Sequence, residues 1–207
     1  MKRVDVIVVD AGTGNLHSVD NALRSLGYAI HIAAEPVDVL PSLPVVLPGV
    51  GAFATFMQGL RSRGLDQCIR DVVRRGDPLL GICVGMQALF EISDEMGEHE
   101  GLGLLPGKVT HFPEFEDLKV PHTGWNQLWF EAAGELLDGL KAGDYTYFNH
   151  SYYCVPSDSS DILATTDYGL DFASCVRREN IYGVQFHPEK SQRVGQQILT
   201  NFLKEEI

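Results

Sequence analysis

The chain is poor in positive charge. Its 207 residues carry 16 Lys and Arg against 28 Asp and Glu, a formal net charge of −12. No basic stripe interrupts that balance, which argues against nucleic acid or an anionic membrane surface as a partner. Long apolar runs are missing as well. A run such as Val4–Val9, with Asp5 inside it, is far too short to span a bilayer, and the N-terminus lacks the apolar core of a signal peptide. A cytoplasmic location is expected. The few cysteines, Cys68, Cys83, Cys154 and Cys175, contain no CxxC spacing. Neither a zinc site nor a dithiol motif is indicated, and each cysteine taken alone reads as a small buried hydrophobe. Linker-like stretches, internal repeats and low-complexity tracts are also absent. With 44% hydrophobic and 21% charged residues, the composition is that of a folded chain, and the length fits one α/β domain over 1–207.

What is present is alternation. Runs rich in β-branched residues at Val4–Val9, Ala29–Ala33, Val45–Leu47 and Leu79–Ile82 are separated by amphipathic stretches, the pattern of βαβ units and a parallel sheet. One helix is expected to start at a capping Asn15, run to Leu26 and stop at Gly27. Another covers Cys68–Arg75, with Ile69, Val72 and Val73 on one face and Gly76 at its end. Beyond about residue 105 the spacing shortens. Strands are expected near Lys108–Phe112, Trp125–Phe130, Tyr145–Phe148, Ile162–Thr166, Ala173–Arg177 and Ile181–Phe186, in antiparallel pairs. A last helix, Val194–Lys204, turns Val194, Ile198 and Leu199 inward.

Gly81-Ile-Cys83-Val-Gly85 follows an apolar strand and leads into a helical segment with Met86, Leu89 and Phe90, the strand–turn–helix setting of a nucleophile elbow. The glycines suit it sterically, because a nucleophile on so tight a turn sits in strained backbone while strand and helix come close. The turn sets the Cys83 thiol at a helix N-terminus, where the dipole favours thiolate. A cysteine nucleophile needs a base. Of the seven histidines, His187 stands out in Gln185-Phe-His187-Pro-Glu189, directly after the strand Ile181–Phe186. At extended spacing Glu189 projects to the same side, where its carboxylate fixes the imidazole tautomer and supports the imidazolium. Cys83, His187 and Glu189 form a candidate triad. In Leu47-Pro-Gly49-Val-Gly51 the glycines permit a peptide N–H to turn toward the nucleophile as an oxyanion donor, with the Val84 N–H as the second. Taken alone, such a loop reads first as a plain turn.

Two other features lead elsewhere. Gly12-Thr-Gly14 follows the first strand, but His17 stands where a dinucleotide fingerprint needs glycine, so a tight turn before a helix is the better reading. The acidic stretch 94–100 lacks metal-ligand geometry and reads as solvated surface.

The elbow, extended to Gln87, resembles the G-x-C-x-G-x-Q motif of the class I glutamine amidotransferases, and His187-Pro-Glu189 resembles their late H-P-E. Within that class, four further segments are similar to the glutaminase subunits of imidazole glycerol phosphate synthases. They are Asp10-Ala-Gly-Thr-Gly-Asn-Leu16, Leu47-Pro-Gly-Val-Gly-Ala-Phe53, Gly101-Leu-Gly-Leu-Leu-Pro-Gly107 and, most discriminating, Lys119-Val-Pro-His122-Thr-Gly-Trp125-Asn126. The likeness runs nearly end to end. It implies a flavodoxin-like α/β fold that hydrolyses glutamine and passes the ammonia to a separate cyclase subunit of (β/α)8 type, as a heterodimer in histidine biosynthesis, with no cofactor and no metal. A chain of this length filled by a glutaminase fold leaves no room for a synthase domain, which calls for the same partner.

The resemblance assigns the γ-glutamyl thioester to Cys83 and the oxyanion and substrate loop to Gly49, Val50 and Gly51. It places Gln87, Ser151 and Tyr152 around the glutamine, and Trp125, Asn126, Tyr147 and Lys190 near the partner-facing mouth. Three positions depart from the motifs: Ala11 where tyrosine is usual, Thr123 where methionine is usual and Asn149 where valine is usual. None removes a catalytic atom. Because two of them lie in segments expected near substrate or partner, two alternatives stay open. One is a diverged paralogue feeding ammonia to a surface-polysaccharide amination enzyme, and the other is a non-catalytic binding subunit.

Overall fold

The computed structural model describes residues 4–131 and 134–204. Four apolar runs become the strands β1 (Val6–Val9), β2 (Ile30–Ala33), β3 (Val45–Gly49) and β4 (Leu79–Cys83). β1, β3 and β4 are buried at every position, as parallel strands covered on both faces must be. The later strands are β5 (Phe90–Ser93), β6 (His99–Glu100), β7 (Leu105–His111), β8 (His122–Gln127), β9 (Tyr145–His150), β10 (Tyr152–Pro156), β11 (Ile162–Asp167), β12 (Asp171–Arg178) and β13 (Ile181–Val184). The large sheet runs β2-β1-β3-β4-β13-β12-β10-β7-β5-β6, with β11 paired on β12, while β8 and β9 form a ribbon of their own.

The first five strands in that order are parallel, the 2-1-3-4-5 arrangement of flavodoxin-like folds. The fifth comes from near the end of the chain. β13 lies parallel to β4 and antiparallel to β12, so it joins the parallel half to the antiparallel half. Ligands of such sheets bind outside the carboxyl ends of the strands, and there the chain brings together the ends of β3, β4 and β13.

Among the described residues, five helices complete the fold: α1 (Leu16–Ser25), α2 (Phe53–Ser62), α3 (Leu65–Arg74), α4 (Val84–Gln87) and α5 (Gln192–Lys204). α1 and α5 both touch the 3-10 turn Pro188–Lys190, whereas α2 packs on α3 and α4. α1 stops as expected, with Gly27 at φ 91, but Asn15 makes no side-chain cap bond. α2 was not foreseen, although Phe53, Phe56, Met57 and Leu60 stand at helical spacing and are all buried. α3 starts at Leu65 rather than Cys68, because Gly64 at φ 68 breaks the chain from α2. β8 begins at His122 and ends at Gln127, short of Phe130. Beyond it Trp129 pairs with Thr165 instead. In α5, Ile198, Leu199 and Phe202 are buried while Val194 is only half-buried. The Asn201 amide ties that helix down by donating to the carbonyls of Leu136 (3.0 Å) and Asp138 (2.8 Å).

Candidate active site

Cys83 ends β4 with φ 55 and ψ −112, a region that a residue bearing a side chain occupies at a cost of about 1–3 kcal/mol. Close backbone packing imposes it. A Cβ on Gly81 would sit 2.6 Å from the Gly85 carbonyl oxygen, one on Gly49 would sit 2.6 Å from the Gly85 nitrogen, and one on Gly85 would collide with the Leu47 carbonyl oxygen. The elbow therefore requires glycine where β3, β4 and α4 meet. Gly85→Ala should cost about 1–3 kcal/mol through overpacking, a fall in Tm of about 3–10 °C. An unchanged melting curve would mean the elbow is looser than this packing.

The expected helix after the elbow is a single turn, Val84–Gln87, and Phe90 already belongs to β5. Four residues make little macrodipole. What α4 offers the sulfur is the N–H groups of its first turn.

His187 continues past β13 in extended backbone (φ −98, ψ 97), and Pro188 opens the 3-10 turn that carries Glu189. The pairing thus comes from a proline-initiated turn and not from extended i, i+2 spacing. His187 Nδ1 donates to Glu189 Oε1 at 2.9 Å, with the two side chains only 3% and 1% exposed. Cys83 and His187 line the same cavity, close enough for the sulfur to act on the ionisation of the imidazole. Burial works to lower the His187 pKa, but the hydrogen bonds and charges of Cys83 and Glu189 outweigh it and push the value up to about 10.

A folded value above the ordinary ~6.5 means that the stability contributed by this group is complete below about pH 6.5 and is lost as the pH rises toward about 10. Wild-type Tm should therefore fall more steeply between about pH 7 and 10 than that of His187→Gln. Parallel profiles in calorimetry would contradict the assignment.

The other cysteines are chemically quiet. Burial raises Cys154 and Cys175, with the neighbouring Cys83 adding to the effect on Cys154, and burial raises the half-exposed Cys68.

A cavity of about 250 Å³ opens at Cys83 and His187. The parallel register sets Gly49 opposite Cys83. The next residues, Val50 and Val84, stand side by side in the cavity wall together with Gly51. Gln87, Ser151 and Tyr152 line it as well. The Gln87 amide donates to the Tyr152 carbonyl (3.1 Å) and to Gln185 Oε1 (3.2 Å), and Gln185 Nε2 donates to Cys83 Sγ (3.7 Å). Sequence reasoning gave Gln185 no role, although a glutamine inside an apolar strand end was the available signal.

Glu95 corrects the reading of 94–100 as solvated surface. Its neighbours are largely exposed, but Glu95 lines the cavity and accepts the Phe53 N–H at 2.6 Å. Nothing in the local pattern distinguishes it.

Of the residues expected at the partner-facing mouth, Lys190 lines the cavity; its Nζ lies 5.7 Å from the Tyr147 ring, which is 6.0 Å from that of Trp125, itself 46% exposed. The main chain of Tyr147 holds His187 in place. Its carbonyl accepts the His187 N–H (2.9 Å), and its N–H donates to Ser191 Oγ (3.0 Å), which donates to the His187 carbonyl (2.7 Å). Asn126 is not part of this cluster. On the other face of β8, its amide donates to the Asp167 carbonyl at 2.8 Å. The two departures Thr123 and Asn149 are cross-strand partners and are hydrogen-bonded to each other at 3.1 Å.

The family model for class-I glutamine amidotransferases matches residues 7–206. The chain is 49% identical over 197 residues to the imidazole glycerol phosphate synthase subunit HisH of Moorella thermoacetica, covering 95% of this chain and 93% of that one. Against the HisH subunit of Salinibacter ruber it is 48% identical over 200 residues, covering 94% and 92%. A crystal structure of a glutamine amidotransferase matches with a TM-score of 0.74 at 21% identity, over 96% of this chain and 97% of that one, which speaks for the fold alone. Fold, elbow and near full-length identity converge, and the chain belongs to the class-I glutamine amidotransferases, among the HisH subunits of imidazole glycerol phosphate synthase.

Proposed function

We propose that the chain hydrolyses glutamine to glutamate and ammonia through Cys83, His187 and Glu189. The ammonia passes to a cyclase subunit of (β/α)8 type, which makes imidazole glycerol phosphate and an aminoimidazole carboxamide ribonucleotide in histidine biosynthesis. One observation carries this reading: the buried, hydrogen-bonded pair Glu189–His187 meets the Cys83 sulfur in the wall of one cavity.

The cavity lining supports each step. The Glu95 carboxylate suits the α-ammonium of glutamine, and Ser151 and Tyr152, on the same wall, are assigned its α-carboxylate. The Cys83 thiolate attacks the side-chain carboxamide, and the oxyanion is taken by the N–H groups of Val50 and Val84. His187 delivers its proton to the leaving nitrogen as the C–N bond breaks, so ammonia departs and a γ-glutamyl thioester remains. Water then attacks the thioester with His187 as base, the C–S bond breaks, and glutamate is released. Glu189 keeps the proton of the imidazole on Nδ1, so that Nε2 serves the sulfur and the substrate.

Two features support a docked partner. Ammonia released into water at neutral pH is protonated and ceases to be a nucleophile, so a sheltered exit is needed. The exposed Trp125 beside Tyr147 is the kind of aromatic pair that anchors interfaces, and the same Tyr147 holds the main chain of His187. The test is glutamate release from glutamine, by the chain alone and with the cyclase subunit plus its ribonucleotide. Release that depends on the cyclase supports the whole reading, release that ignores it points to another partner, and none under any condition would refute the glutaminase assignment.

A further inference from the structure

A continuous polar file runs from the β8–β9 ribbon to the nucleophile. The ribbon pairs His122 directly with His150, and His122 Nδ1 lies 3.1 Å from His150 Nε2. His150 Nδ1 lies 2.8 Å from the Tyr152 carbonyl oxygen, and Asn126 Nδ2 lies 3.3 Å from His122 Nε2. From the same Tyr152 carbonyl the file continues through Gln87 and Gln185 to Cys83 Sγ.

Its polarity is determined at every link. A carbonyl only accepts, so the His150 proton sits on Nδ1, leaving Nε2 to accept from the Nδ1–H of His122. The Nε2 of His122 then accepts from the Asn126 amide. On the other side, one N–H of Gln87 is spent on the Tyr152 carbonyl and the other on Gln185 Oε1, which turns the N–H of Gln185 toward the sulfur. This pattern needs both imidazoles neutral. Burial supplies that condition, lowering His122 to about 4 and His150 to about 3. The rings are also clamped, with His122 stacked between Phe148 (4.7 Å, 23°) and Tyr168 (3.9 Å, 26°).

We propose that His122 and His150 are positioning residues for the nucleophile: through the Tyr152 carbonyl, Gln87 and Gln185 they hold an N–H donor on the Cys83 sulfur, and they tie that donor to the ribbon whose outer face carries Trp125 and Tyr147. A donor aimed at sulfur favours the thiolate over the thiol. The file also gives the ribbon a second physical link to the reaction, separate from the contact of Tyr147 with His187.

The catalytic meaning of this inference rests on the glutaminase reading, but its test does not. Alkylation of Cys83 by iodoacetamide, followed by mass spectrometry on the isolated chain, reads the sulfur without glutamine. Gln185→Leu and His150→Phe should each slow it about tenfold, as for loss of one hydrogen bond to a charged group. Because both act on one donor, the double variant should be no slower than the slower single one. His150→Asn, which keeps a donor toward the Tyr152 carbonyl, should stay within about threefold of wild type. If His150→Phe does not fold, His122→Phe replaces it in the cycle, with an aromatic ring kept between Phe148 and Tyr168. Losses that multiply in the double variant, equal losses for the Phe and Asn variants, or unchanged alkylation would each overturn the proposal. In glutamine turnover the loss should fall on kcat with KM unchanged, and a loss confined to KM would also overturn it. Absence of turnover in the wild type would count against the glutaminase reading alone.

Discussion

Cys83→Ala should abolish glutamate release, with a loss of at least about 10⁴-fold in kcat, while the protein stays folded. The magnitude follows from the covalent route: without the sulfur there is no thioester, and positioning with the oxyanion donors retains only a residue of the rate enhancement. No other thiol can substitute, because Cys154 and Cys175 are buried in surroundings that keep them protonated. Alanine is smaller than cysteine and keeps the elbow's backbone demand unchanged, so Tm should move by only a few degrees. Measuring release and melting on the same preparation separates the two effects. Activity of the variant above about 1% of wild type would remove Cys83 from the mechanism and with it the proposed function.

Docking of the cyclase subunit should raise glutamine turnover by about 10²–10³-fold, the value of one oxyanion donor gained or lost. Val50 is the residue through which this would act. Its N–H belongs to the peptide that follows Gly49, and Gly51 beyond it sits at φ 89 with open space beside it, so this short loop has room to turn its N–H toward the cavity. A partner that stabilises the turned-in form shifts the population toward the competent state. The gain should therefore appear in kcat rather than in KM, and the ribonucleotide-loaded partner should exceed the empty one. Equal kcat with and without partner would mean that the oxyanion loop is complete in the isolated chain, and the switch at Val50 would be discarded.

Much of the parallel half was legible because its signals are local. Apolar runs bounded by glycine at helix ends mark β1, β3, β4, the end of α1 and the end of α3 without reference to anything distant. α2 was missed although its apolar spacing is regular, because it starts directly after the glycine loop 49–51, whose composition reads as turn. The antiparallel half was harder. Strand starts such as His122 in β8, and β10 itself, are decided by which neighbour supplies the hydrogen bonds, and local propensity carries little of that information. The stop at Gln127 shows the same thing, since Trp129 leaves the ribbon to pair with Thr165.

The amino-acid sequence by itself determined the parts of the site that lie within a few residues of one another. The elbow around Cys83 is specified by glycines at 81 and 85, where a Cβ would press on backbone atoms, and His187 and Glu189 are joined by a single proline-initiated turn. Only the tertiary structure decided which distant groups meet them. Gln185 reaches Cys83 across 102 residues of chain and Gln87 across 98, because β13, made near the end of the chain, is inserted beside β4. Glu95 faces the cavity because the N-terminus of α2 takes its carboxylate, and His122 meets His150 because two strands pair in one register out of several. Such contacts depend on how strands are ordered and aligned in space, and a one-residue shift of register in the β8–β9 ribbon would turn His122 to the opposite face.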